Sequence, residues 1–205
     1  MHYYRLAAGG IGWFALILQY VLMVQAGWTL SATVNFFSYF TILSNLLATL
    51  ALFLPVFMPR AFRSASLRSA IALYMTVTGL IYVTVLQGIW DPQGWAFVAD
   101  ALLHYVMPVL YLIDWVLFAE KRSLGYGDVP RWLIFPALYA GYSLLRGSVA
   151  DWYPYPFLDV SKLGAGPVAI NVMLVVALFA CLGFALAWIG RHLPARLENT
   201  QRSGQ

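Results

Sequence analysis

Six long apolar runs dominate this sequence and limit what it can fold into. Each has about 20 residues, the length that an α-helix needs to cross a hydrocarbon core about 30 Å thick. Only 10% of the residues are charged, against about 25% in an average soluble domain. We therefore predict an all-α polytopic membrane protein whose residues 1–190 form one domain, a six-helix transmembrane bundle, followed by a polar tail at 191–205. The runs cover residues 6–26, 36–58, 69–89, 98–119, 131–149 and 166–190.

The positive charges are distributed unevenly between the connecting segments. The N-terminus, the second and fourth loops and the C-terminus hold ten of the twelve lysines and arginines: Arg5, Arg60, Arg63, Arg68, Lys121, Arg122, Arg131, Arg191, Arg196 and Arg202. This pattern follows the positive-inside rule and predicts that both termini face the cytoplasm of a bacterial inner membrane. Contact with anionic membrane lipids explains the basic tail. The net charge of +4 therefore does not indicate a nucleic-acid partner.

Polar side chains interrupt the second run, "FFSYFTILSNLLATL", and those singled out here are Ser38, Thr41, Ser44 and Asn45. Polar groups in hydrocarbon cost free energy unless they are paired. Ser38, Thr41 and Asn45 have the spacing of one helix face. With a rise of 1.5 Å per residue, Thr41 lies about 8 Å below the outer surface. The second run is therefore expected to line a polar site in the outer leaflet.

The fourth and sixth runs bring further polar residues to the same depth. His104 lies about 9 Å below the outer surface, and Asn171 is at a similar level in the sixth run. Asp100 precedes His104 by four residues, so the two should pair on one helix face. Arg146 adds a positive charge near the outer end of the fifth run. We expect these residues to surround one site.

Pro108 follows His104 by four residues. Proline has no N–H, so the carbonyl of His104 should lose its helical hydrogen bond and need a kink, a water or a side chain to replace it. Deeper in the same run, Asp114 is expected to bond across helices to Tyr74 or Thr78, with an ion path as the alternative.

The outer connection "SVADWYPYPFLDVSKLGAG", residues 148–166, is rich in aromatic residues and proline. Pro154 and Pro156 prevent a continuous helix there. Its aromatic side chains are typical either of a cap over the bundle or of an anchor in the membrane interface.

A hydroxyl nucleophile needs a base, a group that orients the base, and donors for the developing oxyanion. Thr41, His104, Asp100 and Asn45 can fill these roles, with Ser38 and Ser44 in support. Alternatively, Thr41 and Ser44 bond backbone carbonyls, Asn45 joins two helices and His104 is a buried core histidine.

Metal and cofactor chemistry receives little support from the sequence. His104 is the only histidine in the six runs, whereas haem or di-iron sites held by histidines need several. A zinc ion bound to His104 would find only Asp100 as a further ligand nearby. The chain has no G-x-S-x-G motif and no glycine-rich phosphate loop. No metal or cofactor is predicted.

Four segments carry a resemblance to a known family: "FFSYFTILSN", "IWDPQG", "LLHYVMPVLYLIDW" and "WYPYPFLDV". Together they resemble the prokaryotic six-transmembrane members of the androgen-induced-gene-1-like family. The resemblance extends from about Gly10 to Ala187. Each segment is specific because it mixes polar and aromatic residues inside helices.

In animal members of that family, a threonine in the second helix and a histidine in the fourth are catalytic residues of an intramembrane hydrolase of fatty acid esters. The resemblance implies that Thr41 and His104 correspond to them. It therefore implies a threonine hydrolase that cleaves a lipid-like ester entering from the outer leaflet, with Arg146 and Asn171 as candidate substrate-binding residues. The alternatives are a lipid-binding membrane protein without catalysis and a small proton-coupled transporter that uses the same charged residues. The oligomeric state stays open.

Overall fold

The computed structural model describes residues 1–121 and 123–193. Within these residues every regular element is a helix. The longer helices are α1 (His2–Gln25), α3 (Phe40–Phe57), α4 (Ala65–Ile81), α6 (Met107–Phe118), α8 (Ile134–Ala150) and α10 (Ala165–His192). The predicted polar tail from residue 194 onward lies outside the described residues.

Short helices and turns connect these elements. They are α2 (Leu30–Phe36), α5 (Trp95–Ala101), α7 (Val129–Trp132) and α9 (Val160–Leu163), with 3₁₀ turns at Tyr126–Asp128 and Pro156–Leu158. Two segments are π-helical: Tyr82–Leu86 continues α4, and Leu102–Val106 joins α5 to α6. Single π turns inside α-helices are rare and occur frequently at functional sites.

Five helices in the described part of the chain are long and apolar enough to cross a membrane. They are His2–Gln25, Phe40–Phe57, Ala65–Leu86, Trp95–Phe118 and Ala165–His192. The prediction of an all-α chain with several apolar helices of membrane-spanning length is confirmed. The predicted fifth run corresponds to α8, which has 17 residues and is shorter than these five.

The second run is not a single helix, contrary to the sequence prediction. The chain turns between α2 and α3, and Ser38 lies in that turn. Its hydroxyl donates to the carbonyl of Val34 at 2.6 Å and is bonded to the hydroxyl of Tyr142 at 2.7 Å. Serine hydroxyls favour such local bonds over a helix interior. Ser38 therefore does not share a helix face with Thr41 and Asn45.

A buried ion network joins α1, α4 and α6. Asp114 is inaccessible to solvent, and its carboxylate accepts from Arg5 Nε at 2.6 Å and from Arg68 Nη2. The predicted partners of Asp114 were wrong: Tyr74 donates to the carbonyl of Trp132, and Thr78 is bonded to Ser44. Two cations outcompete neutral hydroxyls for a buried carboxylate because charge-assisted hydrogen bonds are stronger.

Asp114→Asn should strongly destabilise the fold. Asparagine leaves the buried guanidinium groups of Arg5 and Arg68 without a counter-charge, and removing one partner of a buried ion pair costs about 3–5 kcal/mol. Thermal unfolding of the purified protein in detergent measures the effect. Asp151→Asn is the matched control because Asp151 is exposed. Equal melting temperatures for the two variants would contradict the role assigned to this network.

Candidate functional site

Thr41 and His104 line the same cavity, which has a volume of about 630 Å³. Thr41 comes from α3 and His104 from the π segment before α6. The outer connection supplies another wall through Trp152, Tyr153 and Tyr155. The cavity thus joins residues from distant parts of the sequence, and the other polar side chains that line it are Gln19, Asn35, Tyr39, Trp90, Asp100, Asp159 and Lys162.

Thr41 is the second residue of α3, where backbone N–H groups have no partner within the helix. Its N–H donates to the hydroxyl of Tyr155 at 3.2 Å, and the same hydroxyl is 3.3 Å from Thr41 Oγ1. The neighbouring N–H of Phe40 donates to the hydroxyl of Tyr139. The threonine hydroxyl is therefore bonded to Tyr155, not to His104.

The imidazole of His104 is held by contacts at Nδ1 and by an aromatic ring stacked on its face. Its Nδ1 lies 3.0 Å from the carbonyl oxygen of Asp100 and 3.2 Å from Asp100 Oδ1. The ring of Tyr82 stacks on the imidazole with centroids 3.9 Å apart, and the Tyr82 hydroxyl donates to the Asp100 carboxylate. Both neighbours of Nδ1 are acceptor oxygens, so Nδ1 is the nitrogen that carries the hydrogen, and in the neutral imidazole Nε2 then has the lone pair. This is the arrangement that a general base requires.

Asn45 connects the two helices that carry Thr41 and His104. Its side chain is fully buried, and Nδ2 donates to the carbonyl of Thr41 at 2.9 Å and to that of Leu103 at 3.1 Å. In the π segment, the N–H of Met107 bonds to the carbonyl of Leu102. The next carbonyl, that of Leu103, would need an N–H from residue 108, which is proline. Asn45 supplies the hydrogen bond that Pro108 cannot.

This geometry differs from the sequence expectation in two respects. The carbonyl that a side chain bonds is that of Leu103, one residue before the His104 carbonyl that was expected to need a partner. Both amide hydrogens of Asn45 are used by carbonyls, so Asn45 has no free donor for an oxyanion. Its position indicates a clamp between helices.

Ser44 and Asn171 also serve the scaffold. The Ser44 hydroxyl donates to the carbonyl of Thr41 at 3.2 Å and is bonded to Thr78 at 2.9 Å. Asn171 Nδ2 donates to the carbonyl of Phe157 at 2.9 Å and so ties the outer connection to α10. Neither side chain lines the 630 Å³ cavity. Asn171 is thus not placed to bind a ligand there.

Arg146 lies behind the cavity wall. Its Nη2 donates to Asn35 Oδ1 at 2.5 Å, and its guanidinium lies 4.5 Å from the centre of the Trp152 ring. Asn35 and Trp152 both line the cavity. Arg146 Nη1 is buried and has no hydrogen-bond partner.

Sequence reasoning missed Tyr82 and Tyr155, which contact Asp100 and Thr41. Tyr155 belongs to the aromatic connection, where its ring stacks on Phe157 with centroids 5.3 Å apart. Burial raises the pKa of the Tyr155 phenol above its usual value, so it keeps its proton at neutral pH. The only sequence signal for Tyr155 was the concentration of aromatic residues next to an otherwise polar site.

Within the described residues, no group of three or more His, Cys, Asp or Glu side chains is placed to hold a metal ion.

No family model matches this chain, and no curated protein or solved structure is significantly similar to it.

Replacing Asn45 with leucine should lower the stability of the protein. Leucine has a similar size but donates no hydrogen bond, so the carbonyl of Leu103 would be buried without a partner, at about 1–3 kcal/mol. Pro108→Ala restores an N–H to that turn and should recover part of the loss. Thermal unfolding of the two single variants and the double variant gives the coupling energy.

Thr49→Val is the matched control for this cycle, one turn further along α3. The Thr49 hydroxyl is buried and unpaired, so its removal should leave the melting temperature unchanged or raise it. Additive effects of Asn45→Leu and Pro108→Ala would show that Asn45 does not replace the missing proline N–H.

Proposed function

We propose that this protein is an integral membrane hydrolase that cleaves a lipid-like ester with Thr41 as nucleophile and His104 as general base. One observation carries the proposal: Thr41 and His104, on different helices, line one cavity that also holds Asp100. The pairing of His104 Nδ1 with Asp100 leaves Nε2 for proton transfer. The resemblance to the androgen-induced-gene-1-like family, in which a threonine and a histidine have these roles, supports the same assignment.

The reaction proceeds in two steps. Thr41 Oγ1 attacks the ester carbonyl carbon while its proton moves to His104 Nε2; the bond to the alcohol oxygen then breaks, and the alcohol leaves with that proton. Water next attacks the acyl-threonine and gives a proton to His104, which returns it to Thr41 as the acid leaves. The sum is ester plus water to acid plus alcohol.

Tyr155 takes the oxyanion role that Asn45 cannot fill. Its protonated hydroxyl is 3.3 Å from Thr41 Oγ1 and also accepts from the N–H of Thr41. A substrate carbonyl oxygen beside the Tyr155 hydroxyl and the Thr41 N–H accepts from both. Preorganised donors of this kind stabilise the charge that develops in acyl transfer. The N-terminal end of α3 adds a partial positive charge at the same point.

In this proposal α8 also crosses the membrane, which brings the number of transmembrane helices to six, and both termini lie in the cytoplasm of a bacterial inner membrane. The clustering of lysine and arginine in alternate connections supports this topology. The cavity then opens towards the outer leaflet, where a lipid-like substrate with an anionic group would find Arg146 near the wall.

A lipid-binding protein without catalysis is the second candidate. The observation that favours it is the bond between the Thr41 hydroxyl and Tyr155, since an active nucleophile should reach its base. A proton-coupled transporter has less support because Asp114 is held by two arginines and lines neither described cavity.

Cysteine labelling should place the connection around Gln93 outside the cell and that around Arg63 inside. Both residues are exposed in the folded chain, so any difference in labelling reports the side of the membrane. In a Cys181→Ser background, a membrane-impermeant maleimide should label Gln93→Cys in intact cells and should label Arg63→Cys only after permeabilisation. Labelling of Arg63→Cys in intact cells would overturn the proposed orientation.

The purified protein should hydrolyse long-chain esters and react covalently at Thr41 with a serine-hydrolase electrophile. Thr41→Ala should abolish turnover and labelling, while Thr41→Ser should retain some activity. His104→Ala should lower kcat by at least about 100-fold, as expected for a lost general base. Tyr155→Phe should lower kcat by about 100-fold to 1000-fold if it is an oxyanion donor, and Asp100→Ala should give a partial loss.

Thr76→Ala is the control, because Thr76 donates to the carbonyl of Ala72 and lines neither described cavity. Mass spectrometry of the peptide that contains Thr41 identifies the modified residue. Turnover that is indifferent to Thr41 and His104, or binding of an intact ester without turnover, would favour the lipid-binding candidate.

A further inference from the structure

Thr41 lies between two cavities of opposite character. Besides the 630 Å³ cavity, it lines a second one of about 70 Å³ between α3, α4, α8 and α10, which we call the apolar slot. The slot lining includes Val77, Ile81, Ala140, Val172, Val176 and Phe179. Tyr155 also lines both cavities and therefore forms part of the wall between them.

The hydroxyl groups that border the slot are occupied by protein partners. Thr78 is bonded to Ser44, Tyr139 donates to the carbonyl of Ser38, and Tyr155 is bonded to Thr41. The slot therefore offers mainly hydrocarbon surface, and the Thr41 hydroxyl, bonded to Tyr155, is the candidate reactive group on its lining. A cavity of this size has room for several waters, but one with apolar walls stays dry and accepts apolar ligands.

We infer that the apolar slot is the acyl site of the ester and that the larger cavity holds the alcohol part and the attacking water; this inference rests on the proposed function. His104 must return a proton to the leaving alcohol and then take one from water. Both must therefore lie on the His104 side of Thr41. The acyl chain is left to point the other way, into the slot.

The volumes of the apolar slot and of the larger cavity set the selectivity for the substrate. The slot has about 70 Å³ against about 630 Å³ for the larger cavity, so the proposal assigns a single unbranched hydrocarbon chain to the slot and alcohol parts of different shape to the larger cavity. Val176 lines the slot and is 43% exposed on the outer surface of α10. In this proposal the end of a long chain leaves the slot past Val176. The substrate class is an ester of a straight-chain fatty acid with a larger, more polar alcohol.

Ala140 and Ala137 provide a matched pair on α8. Ala140 lines the slot, while Ala137, one turn earlier, is exposed and does not. With methylumbelliferyl esters, Ala140→Phe should lower kcat/KM for a lauroyl ester by about tenfold or more and leave a butyryl ester nearly unchanged, since filling an apolar pocket discriminates by about that amount. Ala137→Phe should change neither. Val176→Trp, at the exposed side of the slot, repeats the test where Ala140→Phe fails to fold.

A binding measurement separates the slot from the chemistry. Thr41→Ala protein is irradiated with a straight-chain fatty acid that carries a diazirine, and labelled peptides are identified. Labelling displaced by excess lauric acid should fall on α8 and α10 around the slot, and Ala140→Phe should abolish it. If this labelling is observed but the wild-type protein hydrolyses no ester, the hydrolase is refuted and the slot remains a lipid-chain site. Turnover with unchanged chain preference in Ala140→Phe, or displaceable labelling elsewhere, would overturn the acyl site and leave the hydrolase standing.

Discussion

The rest of the site depends on one hydrogen-bonded side chain, Asn45. Its amide bridges the carbonyl of Thr41 and the carbonyl of Leu103. Thr41 is one candidate catalytic residue, and Leu103 directly precedes the other, His104. The Asn45 side chain is fully buried, and a carbonyl left without a partner at such a place is costly. The bridge therefore fixes the separation of α3 from the helix of His104 without using either functional side chain.

The two π-helical segments position the side chains that surround His104. Pro108 cannot donate to the turn before it, and the segment Leu102–Val106 takes the wider π register at that place. A second π segment, Tyr82–Leu86, faces it and brings the ring of Tyr82 onto His104. Asp100 accepts from Tyr82 and lies beside His104 Nδ1. The imidazole is thus held by a helix neighbour and by a ring from another helix, so its tautomer and orientation are both set.

The sequence was sufficient to predict features that follow from residue spacing within one helix or from the hydrophobicity of a segment. Apolar runs predicted the long helices, and the four-residue spacing predicted the contact of Asp100 with His104. Features that depend on which helices face each other were not accessible. Ser38 was assigned to a helix because a turn at 37–39 has no apolar signature, and the partners of Asp114 were missed because two arginines lie in helices distant in sequence. The π register and the bond from Asn45 to the carbonyl of Leu103 were also missed, because no spacing rule anticipates them.

The bond between Thr41 and Tyr155 has a physical meaning for a site of this kind. An unpaired hydroxyl and an unpaired N–H at the start of α3 would be unfavourable beside apolar walls, and both groups bond to the Tyr155 phenol. A carbonyl oxygen that enters at this point offers the N–H a new acceptor and the phenol a new place to donate. The ligand then replaces the resting hydrogen bonds instead of breaking them without compensation. In the proposed hydrolase, the same exchange would free the Thr41 hydroxyl to turn towards His104, so that substrate binding would assemble the proposed nucleophile and base.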